Sequence, residues 1–399
     1  MIESGLILFA TLLVFTIGKS PVFRVDRAGA AIIGGSLIVG FHILSFDEAI
    51  QAVDHRTIVV LFSMMVILAN LKLAGFFEIV GAYLLQIVSS QWHLLLAVVC
   101  ISGIFSAFCI NDIVCLLFTP IVLLICRQVQ CNPIPHLLAT AMASNIGSAS
   151  TIIGNPQNIL ISSLSGLNFI SYSKAALPVS FIGLLLTYGI ISWCYRKDLH
   201  KKMHDHSHFA NCTYNRSQII KSLLTMTIVV IAFALGIDIA IVASLGAAYL
   251  LVTKRVNPEN VYTIIDFNLL VMFAGLFVIV GGVEHSGLMN WFIEKLSFID
   301  FNNYGVFTTV TIILSNIVSN VPAILLLKFF IPDHDPGFWW TRLAIFSTLA
   351  GNLTITGSFT NLIVAETAKR DGIIIGFWDY LKVGFPLTIL TALIGFFLL

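Results

Sequence analysis

Phe169-x-x-Tyr172-x-Lys174-x-x-x-Pro178 recurs as Phe377-x-x-Tyr380-x-Lys382-x-x-x-Pro386, four identities at one spacing. The echo extends upstream in the same order. Asp54 opens an apolar run that closes at Gly75, and Asp266 opens one of equal length that closes at Gly287. Next, "CINDIVCLLF" around Asn111 is answered by "IVSNVPAILL" around Asn320. Then "SNIGSASTIIGNPQN" is answered by "GNLTITGSFTN". Identity pairs Asn145 with Asn352, Gly154 with Gly357 and Asn158 with Asn361, leaving the second copy four residues shorter between its Asn and its Gly. A unit of roughly 200 residues used twice is a structural half rather than a solenoid module.

Composition sets the medium. Residues are 58% hydrophobic and 10% charged, and mean hydropathy is +0.97, too little polar surface to cover a soluble globule. The chain belongs in a bilayer. A net charge of +1 without a basic face excludes nucleic acid as a partner. The seven cysteines form no C-x-x-C pair and lie mostly in apolar runs, so they read as small hydrophobes rather than disulfides or metal ligands. The run from Ser4 to Gly18 follows Glu3, has no basic residue before it and no A-x-A site after it. It is expected to stay as a span.

Apolar helices are expected over 4–18, 28–44, 57–74, 137–161, 175–195, 219–236, 239–252, 267–283, 343–365 and 383–399. Two further stretches, 100–126 and 305–331, are interrupted by Asn111-Asp112 and by Asn316, Ser319 and Asn320. Each reads as a re-entrant hairpin, since irregular backbone at that depth needs protein or water around it. If 196–221 is cytoplasmic, only Arg56, Lys174, Lys295, Lys328 and Arg342 of the 21 Lys and Arg fall outside, and both termini face outward. Five spans per half invert the second copy. The fold class is therefore an all-α polytopic membrane protein of two inverted repeats: ten spans, two of them broken helices, plus two hairpins. Residues 1–195 form the first repeat, with scaffold helices in 1–95 and the hairpin and broken helix in 96–195. Residues 196–218 are a linker. The second repeat, 219–399, divides into scaffold 219–300 and hairpin with broken helix 301–399.

Inverted repeats with interrupted helices are the architecture of secondary transporters, whose sites lie where the breaks expose helix ends. Gly147, Gly154 and Pro156 break the first span among hydroxyls and amides, and Gly351 and Gly357 break the second. Freed carbonyls suit a hard cation, and freed N-termini suit an anion. Glue between helices is the alternative for any single Asn, Ser or Thr. Four clusters at matching places favour a site.

The "ND…TP" pattern at Asn111, Asp112, Thr119 and Pro120, with the two break motifs, resembles the ion transporter superfamily, nearest its citrate-transporter-like and arsenite permease branch. Divalent anion:sodium symporters are more distant relatives. The resemblance covers 54–399 and implies a scaffold carrying a mobile transport domain of hairpins and broken helices. By matching motifs it implies substrate or ion contacts at Ser106, Asn111, Asp112, Asn145, Ser148, Gly154, Asn158, Ser319, Asn320, Asn352, Thr356, Gly357 and Asn361, with sodium considered at Asn111, Asn145, Asn320 and Asn352. The hairpin tips depart from the Ser-Asn-Thr of the sodium–dicarboxylate relatives.

Asp112 stands out. A carboxylate at midplane costs about 2.5–3.5 kcal/mol on insertion scales and marks an ion path or proton relay; the alternative is a helix cap. Its counterpart, Val321, has no charge. No basic residue is expected at the site. His200, His204, His206, His208 and Cys212 in the central loop could hold a metal, but a solvated linker explains them as well. H-E-x-x-H, G-x-S-x-G and Walker patterns are absent, so no enzyme and no cofactor are expected. The expected function is secondary active transport of a small anion or oxyacid, coupled to H+ or Na+, in a bacterial inner membrane. A sodium/proton antiporter is the alternative and a membrane-embedded enzyme the distant one. The partners are the substrate and the lipid bilayer, with a homodimer open.

Overall fold

The computed structural model of the chain describes residues 1–18, 23–201, 214–253 and 256–399, and its described elements are helices. The first half runs α1 (Ile2–Ile17), α2 (Arg27–Gly40), α3 (Phe46–Ala52), α4 (His55–Leu73), α5 (Phe76–Ile87), α6 (Gln91–Phe108), α7 (Asn111–Gln128), α8 (Ile134–Ser148), α9 (Pro156–Ser165), α10 (Phe169–Cys194) and the short α11 (Arg196–Leu199). The second runs α12 (Arg216–Ala234), α13 (Ile239–Leu251), α14 (Pro258–Tyr262), α15 (Phe267–His285), α16 (Leu288–Lys295), α17 (Tyr304–Val318), α18 (Asn320–Leu327), α19 (Pro336–Ala350), α20 (Phe359–Arg370) and α21 (Phe377–Leu398). Among the described residues, seven helices are by themselves long and apolar enough to cross a membrane. Shorter apolar helices such as α1, α2 and α13 supply other spans.

The repeat is built as matched helices. Asp54 caps α4 by accepting from the backbone N–H of Arg56 and Thr57, and Asp266 caps α15 by accepting from that of Leu269. Both helices have 19 residues. Each is followed by a glycine with positive φ, Gly75 at 82° and Gly287 at 74°, a turn that a side chain resists. Packing is exchanged between halves. Helix α2 lies on α15 and α13 lies on α4, so corresponding helices meet corresponding partners across the molecule.

Several boundaries differ from the sequence reading: α19 starts at Pro336 rather than 343, and the two broken spans run over 134–165 and 336–370. Helices α10 and α21 start at Phe169 and Phe377, not at 175 and 383. Asn168 Oδ1 accepts from the Ile170 and Ser171 N–H groups, so the repeated Phe-x-x-Tyr-x-Lys is the first two turns of a helix and Pro178 lies inside it. The 12-residue α5 and the shorter α3 and α16 were not expected; each is too short to register as a span.

Ion pairs join residues that the charge count places on a common side: Arg127 with Asp371 at 2.8 Å, Lys328 with Glu284 at 3.6 Å, and Arg56 with Asp238. Of the histidine-rich segment only His200 and Lys201 precede residue 202, and the remainder lies outside the described residues. The His200 ring stands edge-on to Trp92 at 5.3 Å.

Candidate functional site

The two helix breaks are shaped by one asparagine each. Asn158 Nδ2 donates to the carbonyls of Ser148 (3.3 Å) and Thr151 (2.9 Å), ten and seven residues back. Asn361 Nδ2 donates to those of Gly351 (2.7 Å) and Thr354 (3.1 Å), also ten and seven back. The loops are therefore equal in length, with Ser148 opposite Gly351. This corrects the register drawn from identity: Asn145 stands opposite Thr348 and Asn352 opposite Ala149, with no four-residue gap in the loop. An amide that satisfies two freed carbonyls fixes the loop geometry, whereas one shared Asn does not. Gly154 is required by closeness, since a Cβ there would lie 2.3 Å from the Ser148 carbonyl oxygen. At Gly147 it would lie 2.1 Å from the Gly103 carbonyl, which is how α8 packs against the α6 backbone.

Although not equivalent, Asn145 and Asn352 meet. Asn145 Nδ2 donates to Asn352 Oδ1 (2.9 Å) and Asn361 Oδ1 (3.0 Å), while its Oδ1 accepts from Asn111 Nδ2 and Ser358 Oγ, both at 3.2 Å. Asn352 Nδ2 donates to the Met142 carbonyl at 3.2 Å. One buried amide thus ties the first hairpin tip and both broken helices together.

At the first tip, Asn111 donates its backbone N–H to the Gly154 carbonyl (3.0 Å) and its Nδ2 to Thr360 Oγ1 (2.8 Å). Thr360 in turn donates its hydroxyl to Asp112 Oδ1. Asp112 is 8% exposed, so its charge is partnered across the molecule and not by solvent. At the second tip, Asn316 Nδ2 donates to the Ala350 carbonyl (2.8 Å), and Asn316 Oδ1 accepts from Thr354 Oγ1 (2.9 Å).

Both tips line one narrow pocket of about 40 Å³, with Asn111, Asp112, Ser319, Asn320, Ser358 and Thr360 in its wall. Helices α7, α9, α18 and α20 all present their first residues to it. Three of those four N-termini, all but that of α9, have no side-chain cap; at α7 the Asn111 N–H is taken by the Gly154 carbonyl, which leaves those of α18 and α20 to face a ligand. Above it opens a cleft of about 350 Å³ that shares Arg27, Leu269, Met272 and Phe359 with the pocket and adds Asp26, Asp266 and Glu366. A larger cavity of about 530 Å³ lies away from the site, between α2, α3 and α15, and is lined almost wholly by apolar groups.

Arg27 is the residue that sequence reasoning missed. It is 8% exposed, lies in the first turn of α2, and donates from Nε to the Phe15 carbonyl at 3.1 Å. A basic residue does line the site, contrary to expectation. Of the other expected residues, Ser106 lies behind Asn111, its Oγ 2.6 Å from Ser144 Oγ, and Ser148 donates to the Asn145 carbonyl at 2.8 Å. Asn158, Asn361, Gly154 and Gly357 shape the breaks. Thr356 is exposed and does not line the pocket. Of the four amides considered for sodium, Asn145 and Asn352 have their oxygens engaged by donors. Asn111 Oδ1 and Asn320 Oδ1 are buried without a partner among the described residues.

A helical bundle whose polar groups gather at broken helices and hairpin tips is the build of a secondary transporter. The chain belongs to the citrate transporter family, whose profile matches residues 10–342. The transporter arsB of Dictyostelium discoideum is 28% identical, over 93% of this chain and 86% of that one. The silicon efflux transporter LSI3 of rice, Oryza sativa subsp. japonica, is 27% identical over 94% and 92%. Among solved structures, the YdaH transporter of Alcanivorax borkumensis shares the fold, with a TM-score of 0.54 and 14% identity over 99% of this chain and 97% of that one. The protein is an integral membrane transporter.

Proposed function

We propose that this chain moves a small anion or oxyacid across a bacterial inner membrane by alternating access, coupled to protons or sodium. The observation that carries this reading is the convergence of four helix N-termini and the Arg27 guanidinium on one pocket. Each N-terminus presents roughly half a positive charge, and those of α18 and α20, which have no side-chain cap, add N–H donors, a seat for an anionic oxygen. A cation site would be built from carbonyl ends and carboxylates instead.

Asp112 and Arg27 share the pocket wall, and that gives a coupling rule. While Asp112 is ionised it competes with the anion for the positive field; once it carries a proton, Arg27 and the helix ends are left to the substrate. Proton and anion then bind together. The partnerless oxygens of Asn111 and Asn320 would accept a sodium ion or the hydroxyl of a protonated oxyacid. A pocket of about 40 Å³ favours a compact oxyacid, of the kind suggested by the silicon efflux relative, over citrate. In this scheme residues 1–95 and 219–300 are the scaffold, 96–195 and 301–399 move, and both termini face outward. The cleft with Asp26 and Glu366 then opens to the cytoplasm.

Sodium/proton antiport is the second reading and rests on Asp112; it would draw a cation past Arg27. Proteoliposomes under an imposed pH or sodium gradient, offered labelled arsenite, silicic acid and citrate, decide between them. Gradient-driven uptake of one anion or oxyacid, lowered ~10–100-fold by Arg27→Ala, is expected. Sodium/proton exchange that is indifferent to every anion would replace this reading with the antiporter.

A further inference from the structure

Away from the transport pocket, at the joint between α7 and α8, three side chains converge that the proposed transport cycle does not use. The Cys126 and Cys131 Sγ atoms and a His136 ring nitrogen all lie within 4.8 Å of one another. We propose that they form a binding site for a thiophilic d10 cation, Zn2+ or Cu+.

The joint is shaped to gather them. Helix α7 ends at Gln128, and Gln130 then takes a φ of 52°, a conformation a side chain rarely adopts. That turn folds Cys131 back so that its N–H donates to the Cys126 carbonyl at 3.0 Å. Asn132 fixes the far side: its Oδ1 accepts from the Ile134 N–H (3.1 Å), and its Nδ2 donates to Asp198 Oδ2 (3.0 Å). Helix α8 begins at once and places His136 in its first turn.

His136 carries the argument. It is 0% exposed, and its ring nitrogens find no oxygen or nitrogen partner among the described residues; the group that faces the ring is the Cys131 thiol. Buried imidazoles are normally satisfied, and a ring nitrogen with no oxygen or nitrogen partner beside two sulfurs is the donor set of a metal ligand. A disulfide between the cysteines would leave His136 unexplained. Two thiolates and one imidazole suit Zn2+ with an open fourth position, or trigonal Cu+; hard cations would want oxygen. Cys126 is buried and Cys131 half-buried, so an ion reaches the site from the Cys131 side. A bound ion would clamp the end of a hairpin arm to the start of the broken helix.

The test uses the full-length chain purified in detergent without a polyhistidine tag. A parent carrying H204A, H206A, H208A and C212S removes the central-loop ligands. Zn2+ is titrated against a chromophoric chelator, Cu+ against a copper(I) chelator, and Co2+ is added as a spectroscopic stand-in. One ion per chain is expected in the parent, with a sulfur-to-cobalt charge-transfer band. Tighter retention of Zn2+ or of Cu+ identifies the cation. Cys131→Ser and His136→Ala should each weaken it at least ~100-fold, beyond the 10–100-fold that outer-shell partners cost. Cys100→Ser should leave it unchanged. Cys131→Ser alters a half-buried position, so its metal-free melting temperature should match the parent's, while only the parent's rises with metal. Equal affinity in the parent and in both ligand variants overturns the site. So does a Cys126–Cys131 disulfide in protein isolated under reducing-free conditions with no metal bound.

Discussion

The two hairpin tips descend from matching sequence and end in opposite conditions. The first is knitted in: Asn111 bonds to Asn145, Gly154 and Thr360, and Asp112 takes the Thr360 hydroxyl. The second is strained and underbonded. Ser319 sits at φ 75° and ψ 158°, a region held almost exclusively by glycine. Asn320 Oδ1, like Asn111 Oδ1, is buried without a partner among the described residues, but Asn320 has none of the cross-molecule side-chain bonds that Asn111 makes there. Symmetry of sequence therefore does not bring symmetry of energy. The acid lies on the more heavily bonded tip, and the backbone strain lies opposite.

The largest expected effect comes from the charge that both tips share. Arg27→Ala should lower initial uptake ~10–100-fold, the equivalent of a charged hydrogen bond worth about 1.5–3 kcal/mol, with Arg27→Lys intermediate. Proteoliposome uptake at wild-type speed in the alanine variant would remove Arg27 from the site. Asn145→Ala strikes the first tip alone. It should abolish uptake and also destabilise by about 1–3 kcal/mol for each buried partner left unpaired, read as a lower melting temperature in detergent. Asn320→Ala should cost uptake with little stability, since its oxygen bonds nothing here. Equal destabilisation by the two would break the contrast between tips.

Asp112→Asn sharpens it further. An amide mimics the protonated acid, so substrate exchange should persist while pH dependence of uptake disappears. Asn is also a good cap. If proton-driven accumulation survives unchanged, Asp112 serves only as acceptor of the Thr360 hydroxyl and the coupling proton is carried by another group. The smallest effect is expected at Ser319→Gly, which relieves the backbone and should stabilise by about 1 kcal/mol. Uptake that falls while the melting temperature rises would mark the Ser319 hydroxyl as a ligand; no change in either would show that the strain is relieved elsewhere.

Much of this was legible in the sequence because repetition and period are local signals. The runs from Asp54 to Gly75 and from Asp266 to Gly287 gave α4 and α15 with their caps, and the polar interruptions gave both tips. The break motifs contained Thr360 and Ser358, although their role came only with the fold. Arg27 was invisible for a physical reason: beside Asp26 at a span end it reads as a loop charge, and only the packing of α2 on α15 turns it inward. The register of the breaks was misread because one identical Asn outweighed the geometry of two carbonyls. A search for C-x-x-C passed over Cys126-x4-Cys131-x4-His136 across Pro133, the spacing on which the proposed cation site rests.

The bond from Asn111 to Thr360 spans 249 residues of chain. At a synthesis rate of roughly 5–20 residues per second, the first half waits about 12–50 s in the bilayer before that partner is made. Through that interval the bonds of Asn111, Asp112 and Asn145 with Thr360, Asn352, Asn361 and Ser358 are unmet. Biogenesis must shelter these side chains, in water at the translocon or against a holding factor, until the second half arrives. A ribosome stalled before residue 343 would leave a half-protein that is hydrophobic enough to insert and too polar at its heart to rest, a natural substrate for membrane quality control.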